Sequence, residues 1–66
     1  GALETITRIA FGQRRKMLRS SLKAIGGADM LHQAGIDPEQ RPQDIGVGDF
    51  CNLAAIYQAG PFYPSA

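Results

Sequence analysis

The chain has 66 residues and a formal net charge of +1, with 44% hydrophobic and 20% charged residues. That makes it one domain at most, too apolar for disorder and too small for a deep substrate pocket on the order of several hundred Å³. No run approaches about eighteen apolar residues, which excludes a membrane span. The single cysteine, Cys51, excludes an intrachain disulfide and fits a reducing, cytoplasmic setting.

The first residues are Gly-Ala rather than Met and already fall in a helical pattern. With no basic segment leading into an apolar run of roughly 7–15 residues, the start reads as that of a fragment without a secretory signal. No period-2 alternation runs long enough for a strand, and the pattern is helical throughout. At about 100° per residue, Leu3, Ile6, Ala10, Phe11, Met17, Leu18, Leu22 and Ile25 gather into one apolar arc, with Arg8, Arg15, Lys16, Arg19 and Lys23 opposite. Arg14 projects into the apolar side just after Gly12, and glycine costs about 1 kcal/mol relative to alanine inside a helix. The pattern therefore predicts a break near Gly12, giving helices over 3–11 and 13–25, with Arg14 re-aimed toward solvent or a carboxylate.

Gly26-Gly27 ends the second helix, and a third follows over 28–34, stopped by Gly35. "GIDPEQRPQDIG" reads as a loop, with a turn at Asp37-Pro38 and Pro42 allowed only in a first helical turn. The last helix, 47–58, starts from Gly46 as N-cap with Asp49 in its first turn, and its buried stripe is Phe50, Leu53, Ala54 and Tyr57. Residues 59–66 form a frayed tail beyond Gly60-Pro61. The expected fold is all-α, a small bundle of four to five short helices forming a single domain over residues 1–66.

The near-zero net charge conceals a segregation of sign. Arg8, Arg14, Arg15, Lys16, Arg19 and Lys23 carry six of the seven positive charges, with no acid between Glu4 and Asp29. From Ala24 onward Arg41 alone faces Asp29, Asp37, Glu39, Asp44 and Asp49. A solubilising surface would intersperse the signs. Pairs such as Arg15 with Arg19 and Arg19 with Lys23 repel at i,i+4 on a helix, and arginine's planar fork suits phosphate. Two readings account for the run: a solvated helix face, or contact with nucleic acid that is electrostatic and directed at the backbone.

Catalytic chemistry is sparse. His32 and Cys51 lack any CxxC or HxxxH partner, so no zinc site is expected. His32 reads as a surface residue and Cys51 as a small buried hydrophobe. "GVGDFC" lacks the preceding strand of a phosphate loop, and Ser20-Ser21 have no base in view. No catalytic, cofactor-binding or metal-binding residue is assigned, and the chain alone is not expected to be an enzyme.

"AFGQRRKMLRSSLK" (Ala10–Lys23) resembles the F-x-x-R-R-K-x-L-R-N-S-L stretch in the C-terminal domain of the bacterial 16S rRNA adenine N6-dimethyltransferases, the kasugamycin-sensitivity family, related to the mitochondrial transcription factor B proteins. "AGIDPEQRPQDIGVGDFCNLA" (Ala34–Ala54) resembles the same family's ending, so the likeness covers roughly residues 3–57 in order. Ser20 stands where the family often has Asn, and Gly46 where it has Ser or Thr, which weakens that cap by about a few tenths of a kcal/mol.

The resemblance implies an enzyme that transfers methyl groups from S-adenosylmethionine to N6 of two adjacent adenosines in a 16S rRNA hairpin loop. Its Rossmann-like N-terminal domain would bind the cofactor through a glycine-rich motif and hold the adenine with an N-L-P-Y motif, and neither motif is present here. This chain would be the C-terminal docking domain, with 16S rRNA, the small ribosomal subunit and its own catalytic domain as partners, and no membrane. Arg14, Arg15 and Lys16 match the R-R-K residues and Arg19 the arginine that follows. With Lys23 from the outward face they form the expected RNA-binding set, although some of the R-R-K group, Arg14 first, would serve domain packing. The alternative is a free-standing helical interaction module whose basic face meets an acidic protein surface or the chain's own acidic second half.

Overall fold

The computed structural model describes residues 1–64. They form four α-helices and two 3-10 turns: α1 (Ala2–Gly12), α2 (Leu18–Ser21), a turn at Lys23–Ile25, α3 (Gly27–Gln33), a turn at Pro42–Asp44 and α4 (Val47–Ala59). No strand occurs among the described residues, and the fold is the expected small all-α bundle.

α1 and α4 make the most extensive helix pair. Phe11 at the end of α1 meets Phe50 near the start of α4, ring centroids 5.6 Å apart, so the two run in opposite directions. α1 buries Ala2, Ile6 and Ala10, four residues apart. Alanine one turn to either side of Ile6 keeps that face flat, and helix separation follows the size of the contacting side chains. α4 answers with Phe50, Leu53, Ala54 and Tyr57, and Leu18, Leu22, Met30, Leu31 and Ile36 complete the core. Leu3 and Phe11, expected in the apolar arc, are instead 42% and 49% exposed. α4 sets the buried stripe of α1, and these two residues lie on its flank.

The helix expected over 13–25 is not continuous. Residues 13–17 form a loop, α2 lasts four residues, and Lys23–Ile25 is a separate 3-10 turn. The cause lies about twenty residues further along the chain, in the loop after α3. In a continuous helix the Leu18 N–H would bond the Arg14 carbonyl. Here it donates to the Gln40 carbonyl at 2.7 Å, and the Arg19 N–H to the Pro38 carbonyl at 3.0 Å. These bonds satisfy two of the amides that a helix start leaves open. A four-residue helix has no stability of its own; the complete burial of Leu18 and Leu22, worth about 1.5–3 kcal/mol each, holds it.

Gly12 is the last residue of α1 and has no positive φ, and a Cβ added there meets nothing within 4 Å. The break therefore does not require glycine. Gly12→Ala is expected to raise stability by about 0.5–1 kcal/mol in urea unfolding, without lengthening α1.

α3 closes with two bonds that specify its end. The Ile36 N–H donates to the Leu31 carbonyl at 2.9 Å and the Gly35 N–H to the His32 carbonyl at 3.0 Å. This Schellman arrangement needs a left-handed residue, which Gly35 supplies at φ 73°, and it turns Ile36 into the core beside Leu31. At the other end Gly26 adopts φ 134°, and an added Cβ would lie 3.0 Å from the Met30 Cβ. Gly26→Ala is therefore expected to destabilise the domain by about 1–3 kcal/mol, measured as a lower urea midpoint with an unchanged slope.

Two expectations fail in α4. Cys51 is exposed rather than buried, because it sits about 100° around the helix from Phe50, off the stripe that faces α1. The tail expected over 59–66 is not wholly frayed: Ala59 belongs to α4, and the Tyr63 ring packs edge-on against Tyr57 at 5.1 Å and 85°. The last two positions of that tail, Ser65 and Ala66, lie outside the described residues.

Candidate nucleic-acid interface

Between α1 and α2 the chain makes a tight turn in which the Lys16 N–H donates to the Gln13 carbonyl at 2.9 Å. Arg14 and Arg15 occupy its two corner positions, the most outward places a turn offers, and Arg14, Arg15 and Lys16 are all exposed. The R-R-K group is thus displayed by a loop, not by the helix face that periodicity predicts. The turn is fixed at both ends, by Ala10 in the core before it and by half-buried Met17 and fully buried Leu18 after it. The i,i+4 repulsion expected between Arg15 and Arg19 on one helix does not arise, since only Arg19 is helical.

Arg14 does not enter the apolar side; it is exposed and lines an open recess of about 340 Å³ with Phe11, Gly12, Gln13, Arg15 and Lys16. Arg19 projects outward from α2, flanked in sequence by buried Leu18 and exposed Ser20. Lys23 is exposed too, but it borders a different recess, of about 570 Å³, which Asp29, Met30 and Phe62 also line. The structure therefore gathers Arg14, Arg15 and Lys16 on one turn, continues to Arg19, and sets Lys23 apart.

The acids explain the charge segregation. Asp37 accepts the Glu39 N–H at 2.9 Å, Asp44 the Arg41 N–H at 3.0 Å, and Asp49 the Gly46 N–H at 3.4 Å. Asp29 lies in the first turn of α3. Of the five acids from Ala24 onward, three thus accept N–H groups at turns and helix starts and Asp29 sits at the positive end of a helix dipole. Their positions follow from local backbone needs and not from a complementary relation to the basic turn.

The fold places two residues, Arg41 and Phe11, where sequence pattern does not. Arg41 stands in the acidic half, yet its neighbour Gln40 is bonded to Leu18, so the seventh cation joins the chain beside the start of α2. The hint was its place in the second family-like stretch. Phe11, taken for core by periodicity, stands half exposed beside the basic turn. The bonds from Leu18 and Arg19 to Gln40 and Pro38 also tie together the two stretches that carry the family resemblance.

Among the described residues no group of three His, Cys, Asp or Glu could hold a metal ion, and no helix is long and apolar enough to cross a membrane. His32 is exposed in the last turn of α3. Gly46 and Gly48 open α4 from a loop rather than from a strand.

This is the architecture of a small all-α domain with one exposed cationic edge. A Sinorhizobium fredii protein named Ribosomal RNA small subunit methyltransferase A is 60% identical over 53 residues, covering 80% of this chain and 18% of that protein. A protein of the same name from Caulobacter vibrioides is 58% identical over 58 residues, 88% of this chain and 22% of its own length. Another from Gluconobacter oxydans is 54% identical over 55 residues, 83% of this chain and 18% of its own. No family model matches the chain, and no solved structure matches it. The chain belongs to the small-subunit ribosomal RNA methyltransferase A family, and spans about a fifth of the length of the relatives it matches.

Proposed function

We propose that this chain is the C-terminal docking domain of a small-subunit rRNA methyltransferase. In this reading Arg14, Arg15, Lys16, Arg19 and Lys23 neutralise phosphates of 16S rRNA and position a catalytic domain that lies outside these 66 residues. That domain binds S-adenosylmethionine and dimethylates N6 of two adjacent adenosines, in the cytoplasm, during assembly of the small subunit. No residue of this chain takes part in methyl transfer; its contribution is to hold the enzyme in register on the RNA.

The observation that supports the reading best is the basic turn itself. Three consecutive cations stand exposed on an anchored loop, while Asp37, Asp44 and Asp49 accept local backbone N–H groups. The experiment is a salt titration of binding to small-subunit RNA by the 66-residue chain. A log–log slope of several units is expected; absence of RNA binding at about 50 mM salt overturns the reading.

A further inference from the structure

We propose that Phe11 and the Gln13–Lys16 turn form a seat for an unpaired RNA base, so that this edge grips looped or bulged RNA rather than continuous duplex. The inference rests on the RNA-docking reading and specifies the RNA it takes.

Phe11 sits on the last turn of α1, so its position is set by a helix and not by the loop beside it. Its ring leans on Phe50 at 5.6 Å with a tilt of 34°, while 49% of the residue stays exposed. That contact holds the ring in place without covering it. The recess beside it, about 340 Å³, is lined by this one aromatic, the Gln13 amide and three cations, Arg14, Arg15 and Lys16. Val47 and Phe62 are also exposed, but neither lines this recess, and Phe62 borders one whose only ionic residues are Lys23 and Asp29.

Taken together, that lining suits an unpaired nucleotide. Cations alone would serve a duplex backbone or an acidic peptide, and neither offers a flat partner for the phenyl face. In A-form duplex the bases are stacked on one another and the deep groove is closed to side chains. A splayed base can stack on an aromatic ring, place its edge against an amide that both donates and accepts, and leave its flanking phosphates to arginines.

The test compares two RNAs with equal numbers of phosphates, a hairpin with an unpaired loop and a blunt duplex, by fluorescence anisotropy at several salt concentrations. The parent chain is expected to prefer the hairpin. Phe11→Ala and Phe11→Leu are expected to weaken hairpin binding roughly 5- to 100-fold, with the salt slope and duplex binding unchanged. The leucine variant keeps an apolar side chain against Phe50, so an unaltered helical circular dichroism signal separates lost stacking from lost folding. Phe11→Trp is expected to retain hairpin binding and to show quenched indole emission on binding, in a chain with no other tryptophan. Equal affinity for both RNAs, with the Phe11 variants indifferent, overturns the base seat and leaves the docking reading standing. A parent chain that binds neither RNA overturns both.

Discussion

Replacing Arg15, Lys16 and Arg19 together by alanine is expected to weaken RNA binding by roughly 10²-fold near 0.15 M salt and to reduce the log–log salt slope by about 2 to 3 units. Each phosphate contact releases close to one counterion, so three lost contacts remove that many units, and the free-energy difference shrinks toward nothing as salt approaches about 1 M. Stability should barely move. All three side chains are exposed, and surface substitutions of this kind usually stay within about 0.5 kcal/mol. Filter binding across a salt series, with circular dichroism on the same samples, provides both readouts. An unchanged slope with reduced affinity would mean that the residues shape the domain and do not meet phosphate. Lys23→Ala alone, on the other recess, is expected to change the slope by less than any one of the three.

The second large effect concerns the scaffold. Leu53→Ala removes a fully buried side chain from the cluster shared by α1 and α4, at an expected loss of about 2–5 kcal/mol. At roughly 0.05–0.15 kcal/mol per residue a chain of this length has only about 3–10 kcal/mol in total. The variant is therefore expected to be largely unfolded at 37 °C, seen as lost helical signal and a collapsed urea midpoint. Cys51→Ser, two residues earlier but exposed, should shift the midpoint by less than about 0.5 kcal/mol. If both substitutions cost the same, the orientation of α4 described above is wrong.

These expectations show where the sequence was legible. The stripe Phe50, Leu53, Ala54 and Tyr57 recurs at helical spacing over a long enough segment for its pattern to decide which face is buried, and all four are buried. Gly35 marks the end of α3 because its left-handed conformation is written in the residue type. The short segments were not legible in this way. Residues 13–25 carry a helical pattern, but the Leu18 and Arg19 amides are claimed by the carbonyls of Gln40 and Pro38, and no local periodicity reports a bond to residues twenty positions away. Cys51 is exposed for a related reason: its neighbours are apolar, but its angle around α4 is not theirs. Phe11 falls in an arc that periodicity carries through Gly12, whereas residues 13–17 are not helical and break that arc.

By itself, then, the sequence determined an all-α domain, its long terminal helix, its glycine stops and the concentration of positive charge between Arg14 and Lys23. Those follow from local propensity and from charge, which each residue carries wherever it lies. Only the tertiary structure decided that the R-R-K residues are shown on a turn, that Asp44 and Asp49 accept bonds at helix starts, and that Phe11 stands open beside the cations. Those depend on backbone bonds and packing between segments far apart in the chain, which form only when the whole domain closes around Leu18, Leu31 and Leu53.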